Sequence, residues 1–176
     1  MSGAGPSGWR SLAIVVLLLV CLLPSACAPG RAQQGFDVAN LSKAFDILER
    51  LQVRAYRNQD WCKNIWYKRG MFSDYTGVAD TCNLFLGIPR RFDELAQADF
   101  AAVAEAIGAT QVKLYYISDL TYDAKHKLSY AEFHLAAGPY TYIYSPGYTA
   151  LPEDMPGEVE HSRINEDWYY MWMDWN

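Results

Sequence analysis

Two histidine–carboxylate groupings in this chain have the residue types for acid–base work. His134 lies two positions from Glu132 in the alternating stretch Ser129–Ala137, so the two side chains share one face of a predicted strand. His161 follows Glu158 and Glu160. A carboxylate beside an imidazole can hold its tautomer, activate water or carry a proton. For His134 and Glu132 an ordinary cross-strand surface pair is the commoner arrangement, while the His161 cluster, in a predicted loop, has the types to bind a metal or activate water. The spacing around His161 matches no zinc or calcium signature, and His126, between Lys125 and Lys127, reads as solvated.

Cys62 and Cys82 have no histidine or further cysteine at ligand spacing. They are expected to form a disulfide, closing a loop worth about 3 kcal/mol on the chain-entropy model. The segment they would brace, with Arg69-Gly70, Ser73-Asp74 and Thr76-Gly77, reads as irregular.

Aromatic residues make up 15% of the chain and crowd its C-terminal part. Tyr140, Tyr142 and Tyr144 alternate and share a face. A two-residue loop at Gly138-Pro139 would set Leu135 opposite Tyr142 and send the tyrosines to the core. A three-residue loop from Ala137 would set His134 opposite Tyr142 and build a polar aromatic wall. The first unites the apolar groups and is favoured. Trp168, Tyr170 and Trp172 share one face of the last predicted strand, and Tyr169, Met171, Met173 and Trp175 the other. Tyr142 and Trp172 are candidate lining for a small-ligand pocket between helices and sheet.

Between these strands runs Ser145–Asn165, punctuated by Pro146, Gly147, Pro152, Pro156 and Gly157. It reads as a long irregular loop, a kind that is often functional. Tyr148, Glu153, Asp154, Glu158 and Glu160 are its candidate contact residues. No glycine-rich phosphate loop, Gly-x-Ser-x-Gly elbow or His-Glu-x-x-His pair occurs, so no cofactor, metal or catalytic residue is assigned.

The elements that must position these groups follow from periodicity. Val38, Leu41, Phe45, Leu48, Leu51 and Ala55 form one apolar stripe, predicting a helix from Val38 to about Asn58 with Asp37 as its cap. Trp61, Ile65 and Trp66 would add a further turn. A second helical region is predicted over Arg90–Ile107, started by Pro89, restarted at Asp99 and stopped by Gly108. Four strands follow: Gln111–Ser118, Ser129–Ala137, Pro139–Ser145 and Asp167–Trp175. The expected fold is α+β, two N-terminal helical regions packed on one face of a C-terminal four-stranded antiparallel sheet. Asn40-Leu41-Ser42 is a formal glycosylation sequon, discounted because it falls inside the first helix.

Ahead of all this, Arg10 precedes an apolar run from Leu12 to Leu23, and small residues follow. That is the layout of a signal peptide. The run is shorter than the roughly 20 residues of a spanning helix. Cleavage after Ala32 or Ala28 competes with lipidation at Cys27, which would tether the domain to a membrane surface. The expected organisation is 1–32 as signal peptide and 33–176 as a single α+β domain. Without the leader, 13 basic residues face 20 acidic ones. That balance argues against a nucleic-acid partner. The acid is concentrated in the last third: Ser145–Asn176 holds one basic residue, Arg163, and seven acidic ones. The function expected from sequence is therefore a secreted or envelope-associated binding protein. Its acidic loop would meet a basic protein partner, in the manner of an inhibitor or immunity protein. A tyrosine-lined ligand pocket and a His/Glu hydrolase are the alternatives.

Overall fold

The computed structural model describes residues 31–75, 82, 87–147 and 152–174. The apolar run of the leader, Cys27, Ala28 and Tyr148 lie outside them. Residues 31–176 form one unit. None of its described helices is long and apolar enough to cross a membrane.

The N-terminal stripe forms helix α1 (Arg31–Leu41), a single 3-10 turn (Ser42–Ala44) and helix α2 (Phe45–Leu51). Val38, Leu41, Leu48 and Leu51 are buried. The helix stops seven residues before the expected end. Gln52 takes the left-handed conformation (φ 52°), and the Val53 N–H turns back to the Leu48 carbonyl at 3.0 Å. Asp37 lies within α1 instead of capping it. Its carboxylate accepts the Tyr142 hydroxyl at 2.8 Å and ties the helix to the sheet. Asn40 of the sequon is buried, and its side-chain oxygen accepts the Lys43 ammonium at 2.6 Å.

Residues 55–73, expected as helix end and irregular loop, are strands. β1 (Ala55–Gln59), β2 (Cys62–Tyr67) and β3 (Gly70–Ser73) run antiparallel through two tight turns, Asp60-Trp61 and Lys68-Arg69. β4 (Arg90–Arg91) pairs parallel with β3 where the second helix was expected to begin. Helix α3 (Glu94–Ala109) starts later because Asp93 caps it, accepting the Ala96 N–H at 2.7 Å. It runs unbroken through Asp99, which accepts the Tyr67 hydroxyl at 2.9 Å. It also runs through Gly108, and Gln111 supplies the left-handed residue (φ 61°) instead.

The remaining strands are β5 (Leu114–Tyr122), β6 (Leu128–Leu135), β7 (Tyr140–Tyr144), β8 (Val159–Arg163) and β9 (Trp168–Met173). Among the described residues, nine strands make one mixed sheet in the order β4-β3-β2-β1-β5-β6-β7-β9-β8. The expected four-stranded antiparallel sheet under two helical regions is thus replaced by a larger, sheet-dominated structure with a short helix pair and one further helix. β8 lies inside the segment expected to be irregular.

The helices cover one face. Phe45 packs on Phe133, Tyr144 and Trp168, and Phe100 on Tyr56 and Phe92. Ile65, Phe72, Ile117, Phe133 and Tyr142 from five strands are fully buried in this layer. The β6–β7 connection is neither of the two loops weighed above. It spans Ala136–Pro139 and sets Phe133 opposite Tyr142. A four-residue loop has the same parity as a two-residue one, so the tyrosine row still faces the core.

At the far edge, the chain before β8 folds back along it. Met155 and Val159 exchange backbone hydrogen bonds, and one Asp154 carboxylate oxygen accepts both the His161 N–H at 2.8 Å and His161 Nδ1 at 3.0 Å. That environment holds the Asp154 carboxyl below the usual carboxylate range, chiefly through the backbone N–H.

Candidate functional site

With Tyr56, Ile117, Phe133 and Tyr142 turned to the helices, alternation sends their neighbours to the opposite face of the sheet. Arg57 on β1, Tyr116 and Ser118 on β5, Glu132 and His134 on β6, Thr141 on β7 and Met171 on β9 line a cleft there of about 550 Å³. Two irregularities in β5 enlarge the set. Its pairing with β6 shifts between Leu114 and Tyr116, and again between Ser118 and Thr121. A bulge places two consecutive residues opposite one and re-aims a side chain. Tyr115 joins Tyr116 on the open face, and Asp119, at φ 55°, joins Ser118. A second hollow of about 490 Å³ shares Ser118, Asp119 and Glu132 and continues toward Arg54, whose guanidinium lies 5.4 Å from the Trp66 ring.

The floor is a fixed hydrogen-bond network. Tyr130 donates its hydroxyl to Glu132 Oε1 at 2.6 Å. His134 Nε2 lies 3.3 Å from Glu132 Oε2 and 2.9 Å from Ser118 Oγ, and Nδ1 lies 3.0 Å from Thr141 Oγ1. Burial alone would raise the Glu132 carboxyl, but the hydrogen bonds from His134 and Tyr130 outweigh it and hold the group below the usual carboxylate range. Ionised Glu132 is an acceptor only, so Nε2 donates to it, and in the neutral imidazole the Thr141 hydroxyl then donates to Nδ1. The imidazole stacks on Tyr116 with ring centroids 4.0 Å apart. On the other side of Tyr116 stands Arg57, within 4.9–5.6 Å of three rings, Tyr116, Tyr115 and Trp61. Arg57 is buried and donates from Nη1 to the Cys82 carbonyl at 3.2 Å.

This network sets what the site can do. In a serine nucleophile site the acid holds the imidazole nitrogen remote from the serine, leaving the near one to take its proton. Here Glu132 and Ser118 compete for the same nitrogen, so Ser118 is not activated. The cleft instead offers donors and acceptors held in one orientation beside aromatic and thioether surface.

The depressed Glu132 carboxyl makes stability depend on pH. A group whose folded pKa is lowered stabilises the fold above its unfolded value, and the effect is lost as pH falls through the folded one. Urea unfolding should show Glu132→Gln to be less stable than the parent at pH 7, with the difference closing below about pH 4. A difference independent of pH would refute the lowered Glu132 carboxyl.

The residues singled out from sequence fall in several places. Cys62 and Cys82 are bonded, with Cα atoms 5.5 Å apart. Tyr142 is fully buried on the helix side and does not reach the cleft. Trp172 is half-buried beside Tyr140 in the pairing of β7 and β9. Glu153, Asp154, Glu158 and Glu160 are exposed, and Asp154 is engaged with His161. His134 and Glu132 do meet, at the bottom of the cleft. Arg57, Tyr115, Tyr116, Ser118, Asp119, Thr141 and Met171 were missed. The available signal was the pairs Tyr115-Tyr116 and Ser118-Asp119, which break strict alternation inside a strand. Among the described residues no three His, Cys, Asp or Glu side chains gather as a metal site.

No family model, no curated protein and no solved structure matches this chain.

Proposed function

We propose that the protein is an exported domain that binds a small molecule on the open face of its sheet. The observation that carries this is the cleft itself: a hollow of ligand size with a hydrogen-bonded polar floor and an aromatic wall. The disulfide and the leader pattern support export. The test is a fragment screen read by amide chemical shifts. Hits should move Tyr116, His134 and Met171, and Met171→Trp, which fills the cleft, should weaken them about tenfold or more. Hits that gather instead on Glu153–Glu160 would return the function to the acidic segment and a basic partner.

A second reading is acid–base chemistry on the bound molecule, favoured by the 3.3 Å contact of His134 with Glu132 at the cleft floor. Turnover that His134→Gln abolishes without weakening binding would support it. Binding with no turnover would leave the protein a carrier or sensor.

A further inference from the structure

We infer that the cleft takes a neutral, hydroxyl-rich ligand of sugar type, its ring face laid on Tyr115 and its hydroxyls on the polar floor of Ser118, Glu132 and Thr141. This rests on the cleft being a binding site and adds the class of what it binds.

Three observations converge. The first is charge. Arg57 is 5% exposed and Glu132 is also largely buried, so the two withdrawn charges of the floor are opposite in sign. Asp119 stands in solvent, where a charge needs no partner. An ion entering this floor would lose its hydration to a surface whose buried charges already offset one another, which is unfavourable. A neutral ligand avoids that cost.

The second is the kind of hydrogen bonding on offer. The Ser118 hydroxyl, which accepts from His134, can still donate, while Thr141, whose proton goes to His134, and Glu132 offer lone pairs. They sit on three neighbouring strands, spaced about 4.8 Å apart. A floor that sets one donor beside acceptors matches a polyol, whose hydroxyls do both, better than a carboxylate, which only accepts, or an ammonium, which only donates.

The third is the rim. Tyr115 lines the cleft and is 38% exposed, with the Arg57 guanidinium 5.1 Å from its ring. Such rings supply broad contact area with little entropy to lose. They suit the flat C–H face of a sugar. A hollow of about 550 Å³ accommodates one or two rings.

The experiment is an amide-shift titration of the oxidised protein with cellobiose, maltose and N,N′-diacetylchitobiose, against benzoate and benzylamine as charged rings. At least one saccharide should move Tyr115, Ser118 and Thr141 and bind more tightly than either charged probe. Tyr115→Ala should weaken it about tenfold, with dispersed spectra showing that the fold persists. Tighter cleft binding by benzoate or benzylamine would overturn the ligand class and leave the cleft reading standing. So would a cleft that accepts library fragments but no saccharide. If neither fragments nor probes move the cleft residues, both readings fall.

Discussion

Phe133→Ala will lower the unfolding free energy by about 3–5 kcal/mol. Phe133 is fully buried at the middle of β6, where Phe45 of α2 and Trp168 of β9 both pack against its ring. Removing it opens a cavity bounded by three elements distant in sequence. Neither the strand opposite nor the helix above can settle into the space without breaking its own register. Guanidinium unfolding followed by tryptophan fluorescence and by circular dichroism will report the loss. A change below about 1 kcal/mol, the range of tolerated core swaps, would mean that the helix pair does not sit on this sheet.

Breaking the disulfide comes next in size. Cys62→Ser with Cys82→Ser should cost about 3 kcal/mol from loop-closure entropy alone. The pairing has a second consequence, because the Cys82 carbonyl accepts from both Arg57 Nη1 and the buried Asn64 side-chain amide. Freeing that carbonyl removes a fixed acceptor from the arginine that orders the aromatic rim. The double variant should therefore show both a lower unfolding midpoint and shifted amides at Tyr115 and Tyr116, and reduction of the parent should reproduce both. Unchanged stability in the variant would show that the bond constrains nothing in the unfolded chain.

The parts of this fold legible in the sequence are those whose periodicity had one interpretation. The stripe Val38, Leu41, Leu48, Leu51 reads as a helix face because its other side is polar, and all four residues are buried. β6 and β7 read as strands because Ala131 and Phe133 alternate with Glu132 and His134. β1–β3 were hidden for the opposite reason. Tyr56 and Arg57 are both buried, on opposite faces, so no alternation of apolar and polar residues marks the strand. Ala55 also fell in step with the preceding helical stripe, and only the backbone reversal at Gln52 separates the two. Leu95, three residues from Phe92, has the spacing of a core position but is exposed; in the helix that Asp93 caps, the buried face is Ala96, Phe100, Val103 and Ile107.

The site was half legible. Glu132 and His134 stood out by type and spacing, and the structure brings them together. The rest depends on pairing that spacing cannot express. Two of the three register shifts of β5 bring Tyr115 and Asp119 to the open face, and the strand order sets Arg57 beside Tyr116 from a position almost sixty residues earlier. The tyrosine row, the more conspicuous feature of the sequence, belongs to the layer under the helices, where Tyr142 is held by Asp37.

The return of the chain along β8 closes a boundary that a sheet of this size would otherwise leave open. The outward-facing amide of His161 and both backbone groups of Val159 have taken partners from Asp154 and Met155. A foreign strand seeking to lengthen the sheet there finds its docking points occupied, and would have to evict a carboxylate before forming its first rung. The protein thus carries its own stopper against fibril-like growth, built from the acidic stretch whose charge first drew attention to it.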